Sequence, residues 1–173
     1  MATYCHMQRN QNASPRRTQA GEAVTELIVE TFQLNGRLLV AGDELTRDLG
    51  LSSARWQVMG ALANGPLSTA DIARKMGLTR QSVQRIVDIL AEEQIVAFAD
   101  NPSHRRAKLV YLTQRGNELL SEVMQRQAAW VNRLTQGVLA SDIRAAVQIA
   151  RLLRQRLETL SGKERPHGNR RSR

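Results

Sequence analysis

Gln81, Gln84 and Arg85 stand three and four residues apart, so on a helix they share one face. A glutamine carboxamide can pair twice with the edge of adenine, and an arginine fork can donate twice to guanine. The triplet is therefore suited to reading bases in a major groove. Arg80 and Ser82 flank it. Val83, Ile86, Val87 and Leu90 form the opposite, apolar stripe, which must be buried. Asp88, Glu92 and Glu93 come later on the same helix. The basic and amide end would thus meet DNA, and the acidic end would sit away from the phosphates.

The elements that would hold this face can be read on either side of it. Ser68 followed by Asp71 is a capping box that opens a short helix, and Met76-Gly77 closes it. Thr79, with Ser82 three residues on, caps a second helix over about 79–93. Two helices joined by a short turn containing Gly make a helix-turn-helix. Beyond it, Ile95–Phe98 and Lys108–Leu112 read as strands. Their connector, Asp100–Ala107, turns at Asn101-Pro102 and carries Arg105 and Arg106. A hairpin bearing paired arginines beside a recognition helix is a wing, and arginine suits a narrow, electronegative minor groove. Ser68 and Thr69 at the start of the first helix, and Lys108 at the base of the wing, complete the DNA-binding candidates. Leu67 is positioned to add a one- or two-residue strand to the wing sheet.

The run L-T-R-Q-S-V-Q-R-I-V-D-I-L, the Asn-Pro turn, Arg105-Arg106 and L-V-Y-L-T-Q-R-G resemble the winged helix of MarR-type regulators. The resemblance extends over roughly residues 22–160. It implies a homodimer that binds pseudopalindromic promoter DNA, usually as a repressor and often released by a small ligand. Two positions depart from the pattern. Gln94 stands where most relatives close the recognition helix with Gly, and His104 stands where many have Asp. The resemblance also implies a ligand site between the DNA module and the dimer helices. Phe32, Asn35, Arg37, Arg55 and Trp56 would line it, two rings, an amide and two cations that favour a small anionic aromatic compound. The other reading of Phe32 and Trp56 is ordinary hinge packing.

The fold class these patterns imply is mainly α with a small β wing (α+β), a winged helix-turn-helix module plus a layer of long dimerisation helices. Residues 1–20 read as a disordered basic tail and 21–51 as the first helix of the dimerisation layer. The DNA-binding module spans 52–112, with the wing at about 95–112. Residues 113–161 form the C-terminal dimerisation helices, and 162–173 a second disordered basic tail. Ser52-Ser53 caps a short helix, Ala54–Asn64, with Trp56, Met59 and Leu62 facing inward. Val24, Leu27 and Ile28 in the first helix recur at helical spacing. So do Leu134, Val138, Ile143, Val147, Leu153 and Leu157 towards the C-terminus. A small wing sheet cannot bury three long amphipathic helices, so these side chains are the dimerisation candidates. An intramolecular three-helix bundle is the alternative.

The chain has 173 residues, a size for one domain or a dimer subunit. Its 3% aromatic and 42% hydrophobic content favours helix packing. The formal charge of +9 is uneven. Three arginines without an acid in residues 1–20, and five cations against Glu164 in residues 161–173, hold seven of those charges. The DNA argument therefore rests on the local face rather than on the whole-chain pI. The tails would add phosphate attraction or simply be solvated. The single Cys5 excludes an internal disulfide framework and a cysteine zinc site. It is either a redox-sensing thiol or an inert one. His6, His104 and His167 have no ligand spacing, and no phosphate-binding glycine motif is present. No cofactor and no catalysis are expected. No apolar run is long enough for a membrane span, so a cytoplasmic, nucleoid-associated protein is expected. The competing reading is a winged helix used for protein or non-specific nucleic-acid contact without an inducer. Gln81, Gln84 and Arg85 weigh against it, because a protein interface would place an apolar anchor there.

Overall fold

Thr18 opens the first helix: its hydroxyl accepts a hydrogen bond from the Gly21 amide at 3.1 Å, and α1 runs Gln19–Thr46. The structure is a computed structural model, and it describes residues 16–102, 104 and 106–163. Cys5, His6, His167 and Arg105, with the greater part of both expected tails, lie outside the described residues. The helix starts two residues earlier than the sequence pattern suggests, because Thr18 supplies the cap. A 3-10 turn, Arg47–Leu49, follows. Then come α2 (Ser53–Ala61), β1 (Leu67–Ser68), α3 (Thr69–Met76), α4 (Arg80–Glu92), β2 (Val96–Ala99), β3 (Leu109–Leu112), α5 (Gln114–Leu134) and α6 (Ala140–Lys163).

Residues up to Val123 form one compact unit and those from Met124 a second. In the first unit the sheet is antiparallel in the order β1-β3-β2, with Leu67 opposite Val110, Phe98 also opposite Val110, and Val96 opposite Leu112. Leu67 thus does pair into the wing sheet. The core gathers Val58 and Met59 of α2, Ile72 of α3, and Val83, Val87 and Leu90 of α4. Val110 of the sheet and Val123 of α5 complete it, and all eight are fully buried. The recognition-helix stripe read from the sequence is therefore the core face, with Ile86 packed at its margin.

Two glycines permit close approach within this unit. A Cβ at Gly42 of α1 would lie 2.7 Å from Ser53 Oγ and 3.3 Å from Trp56 Nε1. The joint it allows is polar: the Ser53 amide donates to Asp43 Oδ1 at 2.6 Å, and Thr46 Oγ1 reaches the Leu51 carbonyl at 2.8 Å. At Gly116 a Cβ would overlap the Ile95 carbonyl oxygen. That oxygen accepts from the Thr113 amide at 3.1 Å, so α5 starts hard against the base of the wing.

The second unit is the rest of α5, a turn over 135–139, and α6. Gly137 in the turn has φ +79°. Val138 lies in this turn rather than in the helix, because α5 ends at Leu134. No residue of α6 is buried up to Leu160, although Ile143, Val147, Leu152 and Leu157 are large and apolar. That helix also runs past Gly162, where the sequence pattern placed its end.

Candidate nucleic-acid interface

The α3 N-terminus is fixed by a reciprocal cap. The Asp71 amide donates to Ser68 Oγ at 3.2 Å, and Ser68 Oγ donates to Asp71 Oδ2 at 2.6 Å. Arg74 adds an ion pair to Oδ1 at 2.9 Å. The Ser68 hydroxyl bond chiefly, helped by the Arg74 charge, holds the Asp71 carboxyl below its ordinary range, and desolvation opposes them. Ser68 and Thr69 are both buried. Ser68 therefore shapes the site by its position, because its hydroxyl is already engaged. Gly77, at φ +67°, ends α3 in the left-handed conformation that glycine adopts without strain.

Thr79 caps α4: its hydroxyl oxygen accepts from the Ser82 amide at 3.1 Å and lies 2.8 Å from Ser82 Oγ. The face expected to read bases is outward. Arg80, Gln81, Ser82 and Arg85 are exposed, and Gln84 is half-buried. Gln84 Nε2 donates to Asp88 Oδ1 at 2.8 Å, which orients the carboxamide along the helix. A bidentate contact from Gln84 would use its oxygen and its second amide hydrogen, or break that bond.

A cleft of about 340 Å³ gathers six of the expected DNA-binding residues: Ser68, Thr69, Arg80, Gln84, Arg106 and Lys108. They come from three places in the sequence, the start of α3, the start of α4, and the wing. Ala70, Ala107 and the ring of Phe98 complete the lining. Gln81, Ser82 and Arg85 do not line this cleft and continue the same α4 surface.

The far end of α4 is held in a way that sequence patterns did not reveal. Arg55 NH2 pairs with Glu93, and Arg55 NH1 donates to the Gly50 carbonyl at 2.8 Å. The bracket ties the end of the recognition helix to the segment that follows α1. Its partners lie 38 residues apart, beyond any local signal. Gln94 takes φ +59°, a left-handed position that glycine fills without strain, and its carbonyl accepts from Thr113 Oγ1 at 2.7 Å. The departure noted in the sequence therefore changes the side chain and keeps the backbone.

The expected ligand residues do not converge within one chain. Phe32 is 73% exposed, and Asn35 and Arg37 are exposed beside it on α1. Trp56 packs near Gly42, about 15 Å further along that helix at 1.5 Å per residue. Arg55 is engaged by Glu93 and Gly50. Arg55 Nε and Trp56 Nε1 are buried donors with no hydrogen-bond partner. The dimerisation candidates are surface residues: Leu27, Ile28, Leu134, Val138, Ile143, Val147 and Leu157 are exposed, and Val24 and Leu153 are half-buried.

Residues 49–107 match the MarR family. An uncharacterized protein of Mycobacterium tuberculosis (strain H37Rv) is 30% identical over 124 residues, covering 72% of this chain and 87% of that protein. The transcriptional activatory protein BadR of Rhodopseudomonas palustris is 28% identical over 109 residues, covering 60% of this chain and 62% of BadR. Among solved structures, CouR from Rhodococcus jostii RHA1 bound to p-coumaroyl-CoA aligns with a TM-score of 0.67 at 22% identity, covering 79% of this chain and 95% of CouR. At that identity the likeness is one of fold.

Proposed function

We propose a DNA-binding mode for this chain, which belongs to the MarR family of transcriptional regulators. The recognition helix α4 enters a major groove N-terminus first, with Gln81, Gln84 and Arg85 at base edges and Arg80 at the backbone. The wing lies over the neighbouring minor groove, and Arg106 enters it. The observation that carries this reading is the cleft, in which residues from three separate segments turn cationic and polar groups toward one space. The acids of α4 favour the same polarity, since Glu93 is occupied by Arg55 at the opposite end.

The binding form in this reading is a homodimer on a pseudopalindrome. What supports it is that Leu27, Ile28, Phe32 and Leu38 on α1, and Ile143, Val147 and Leu157 on α6, are large apolar side chains left exposed in the single chain. A second copy would cover it. A small anionic aromatic effector is the remaining partner proposed, with CouR and its p-coumaroyl-CoA as the supporting case. Phe32, Asn35, Arg37, Arg55 and Trp56 are the residues proposed for it, and Trp56 Nε1 is a buried donor with no hydrogen-bond partner. Repression is the reading that follows from the family resemblance. BadR is an activatory protein, so a promoter fusion with and without the gene decides the sign. The reading assigns no catalysis and no cofactor, and it places the protein at the nucleoid. No helix among the described residues is long and apolar enough to cross a membrane.

Selection from random duplex DNA tests the proposal. The expected outcome is an enriched pseudopalindrome with half-sites about 10 bp apart, one turn of the helix. Arg85→Ala should then cost about 1–3 kcal/mol on the selected site and relax one base position per half-site. Equal losses on selected and unrelated DNA would make Arg85 a phosphate contact. A pool with no enriched sequence would favour non-specific binding.

A further inference from the structure

The DNA-facing cleft contains an aromatic ring that neither base reading nor phosphate neutralisation explains. On β2, side chains alternate, so Val96 and Phe98 point the same way. Val96 is in the core. Phe98 lies two residues nearer the wing tip, where the core ends, and stays 41% exposed although its cross-strand neighbour Val110 is fully buried. It lines the cleft together with Arg80 and Gln84 of α4 and Arg106 and Lys108 of the wing. Cations contributed by both elements suit a backbone phosphate in this cleft. Each backbone phosphate is attached to a deoxyribose, whose ring carbons present an apolar face.

We propose that Phe98 is the surface on which a deoxyribose packs, in the strand that passes between the groove read by α4 and the groove entered by the wing. The inference rests on the DNA-binding reading above. The contact buries the exposed part of the ring and removes water from between the cations and the phosphate, which strengthens their attraction. Phe98 is therefore a positioning residue for the backbone, and it acts on every sequence alike. Its contribution is apolar, so it does not release counterions. Arg80, Arg106 and Lys108 do, each steepening the fall of log K with log salt by roughly 0.9 per phosphate neutralised.

The test measures fluorescence anisotropy on two labelled duplexes, one recovered by selection and one unrelated, over a salt series, with melting curves for each variant. Phe98→Leu should bind both duplexes about three- to tenfold more weakly with an unchanged salt slope. Phe98→Tyr, which keeps the ring, should bind like wild type. Lys108→Ala should differ by flattening the slope. Phe98→Met takes the place of the leucine variant if that one melts early. Wild-type affinity in Phe98→Leu and Phe98→Met would overturn the proposal, as would a changed slope. A loss that disappears when deoxyuridine replaces thymidine would also overturn it, by making the contact a base methyl. Wild-type protein that binds neither duplex would overturn the DNA-binding reading itself, whereas binding unaffected by Phe98 removes only this contact.

Discussion

The winged-helix core and helix α6 are built on opposite principles. Residues 51–123 contain every buried hydrophobic side chain among the described residues, and their helices α3 and α4 begin with side-chain caps. Helix α6 is longer than either, yet no described side chain in it is buried and Leu157 is 63% exposed. The long N-terminal part of α1 behaves likewise, with only Gly42 and Thr46 of that helix buried. A capped element packed on its own core carries its stability within the chain. A long amphipathic helix with its apolar side in water needs a second surface, because propensity alone leaves such helices marginal. If the exposed helices meet a second copy as proposed, substitutions in the two regions fail differently, one by unfolding the DNA module and the other by weakening association.

The largest effect should come from α6. Leu153→Ala with Leu157→Ala removes two apolar side chains from one stripe, and each buried Leu→Ala typically costs about 2–5 kcal/mol. Leu157 is largely exposed within one chain, so the cost should fall on association. Sedimentation at micromolar concentration should show monomers whose helical content is little changed. A persistent dimer would move the interface elsewhere, and a molten monomer would break the contrast between the two regions.

Gly116→Ala should instead damage the module. The added methyl would overlap the Ile95 carbonyl, a backbone atom that cannot turn aside and that also accepts from Thr113. Shifting α5 against the wing should cost about 1–3 kcal/mol, the range for overpacking a close contact. Urea unfolding reads this as a lower midpoint with an unchanged slope. A wild-type midpoint would mean that α5 can retreat freely and that the module extends less far than Val123.

Gln94→Gly should act in the opposite direction. Gln94 holds φ +59°, where a side chain costs about 1 kcal/mol and glycine little. The variant should be more stable by about that amount, with α4 and its DNA face unaltered. A neutral or destabilising result would show that the Gln94 side chain makes a compensating contact.

The DNA module was the most legible part of the sequence because its signals are local. Ser68 with Asp71 and Thr79 with Ser82 specify helix starts within four residues, and the Val83–Leu90 stripe specifies which side turns in. Arg55 with Glu93 was not legible, since each is an ordinary surface charge until the fold brings residues 38 apart together. Phe98 was read only as part of a strand. Its signal was weak but present: a ring at the outer end of a strand, in a chain with 3% aromatics, two residues from a core valine. The residues expected to line a ligand site were grouped by type rather than by position: Phe32, Asn35 and Arg37 are exposed on α1, whereas Trp56 packs near Gly42 further along that helix.

The smallest effect concerns the α3 cap. Asp71 is held below its ordinary value of 3.8, chiefly by the Ser68 hydroxyl and then by Arg74. A carboxyl with a depressed folded-state pKa contributes stability that is whole above its unfolded value. The contribution fades as pH falls through the lower folded value. Neutral Asp71 would still fill its place but would lose the charge that suits a helix N-terminus. The side chain is 43% exposed, so solvent screens the effect, and helix-cap substitutions set its scale at about 0.5–1 kcal/mol. Asp71→Asn should therefore be less stable than wild type at neutral pH, with the gap closing below about pH 3.8. Other acids titrate in both proteins alike, so the difference between their urea midpoints isolates Asp71. A gap that stays constant into acid would assign the loss to the shape of the asparagine amide rather than to the charge. In that case the capping of α3 would depend on hydrogen-bond geometry alone.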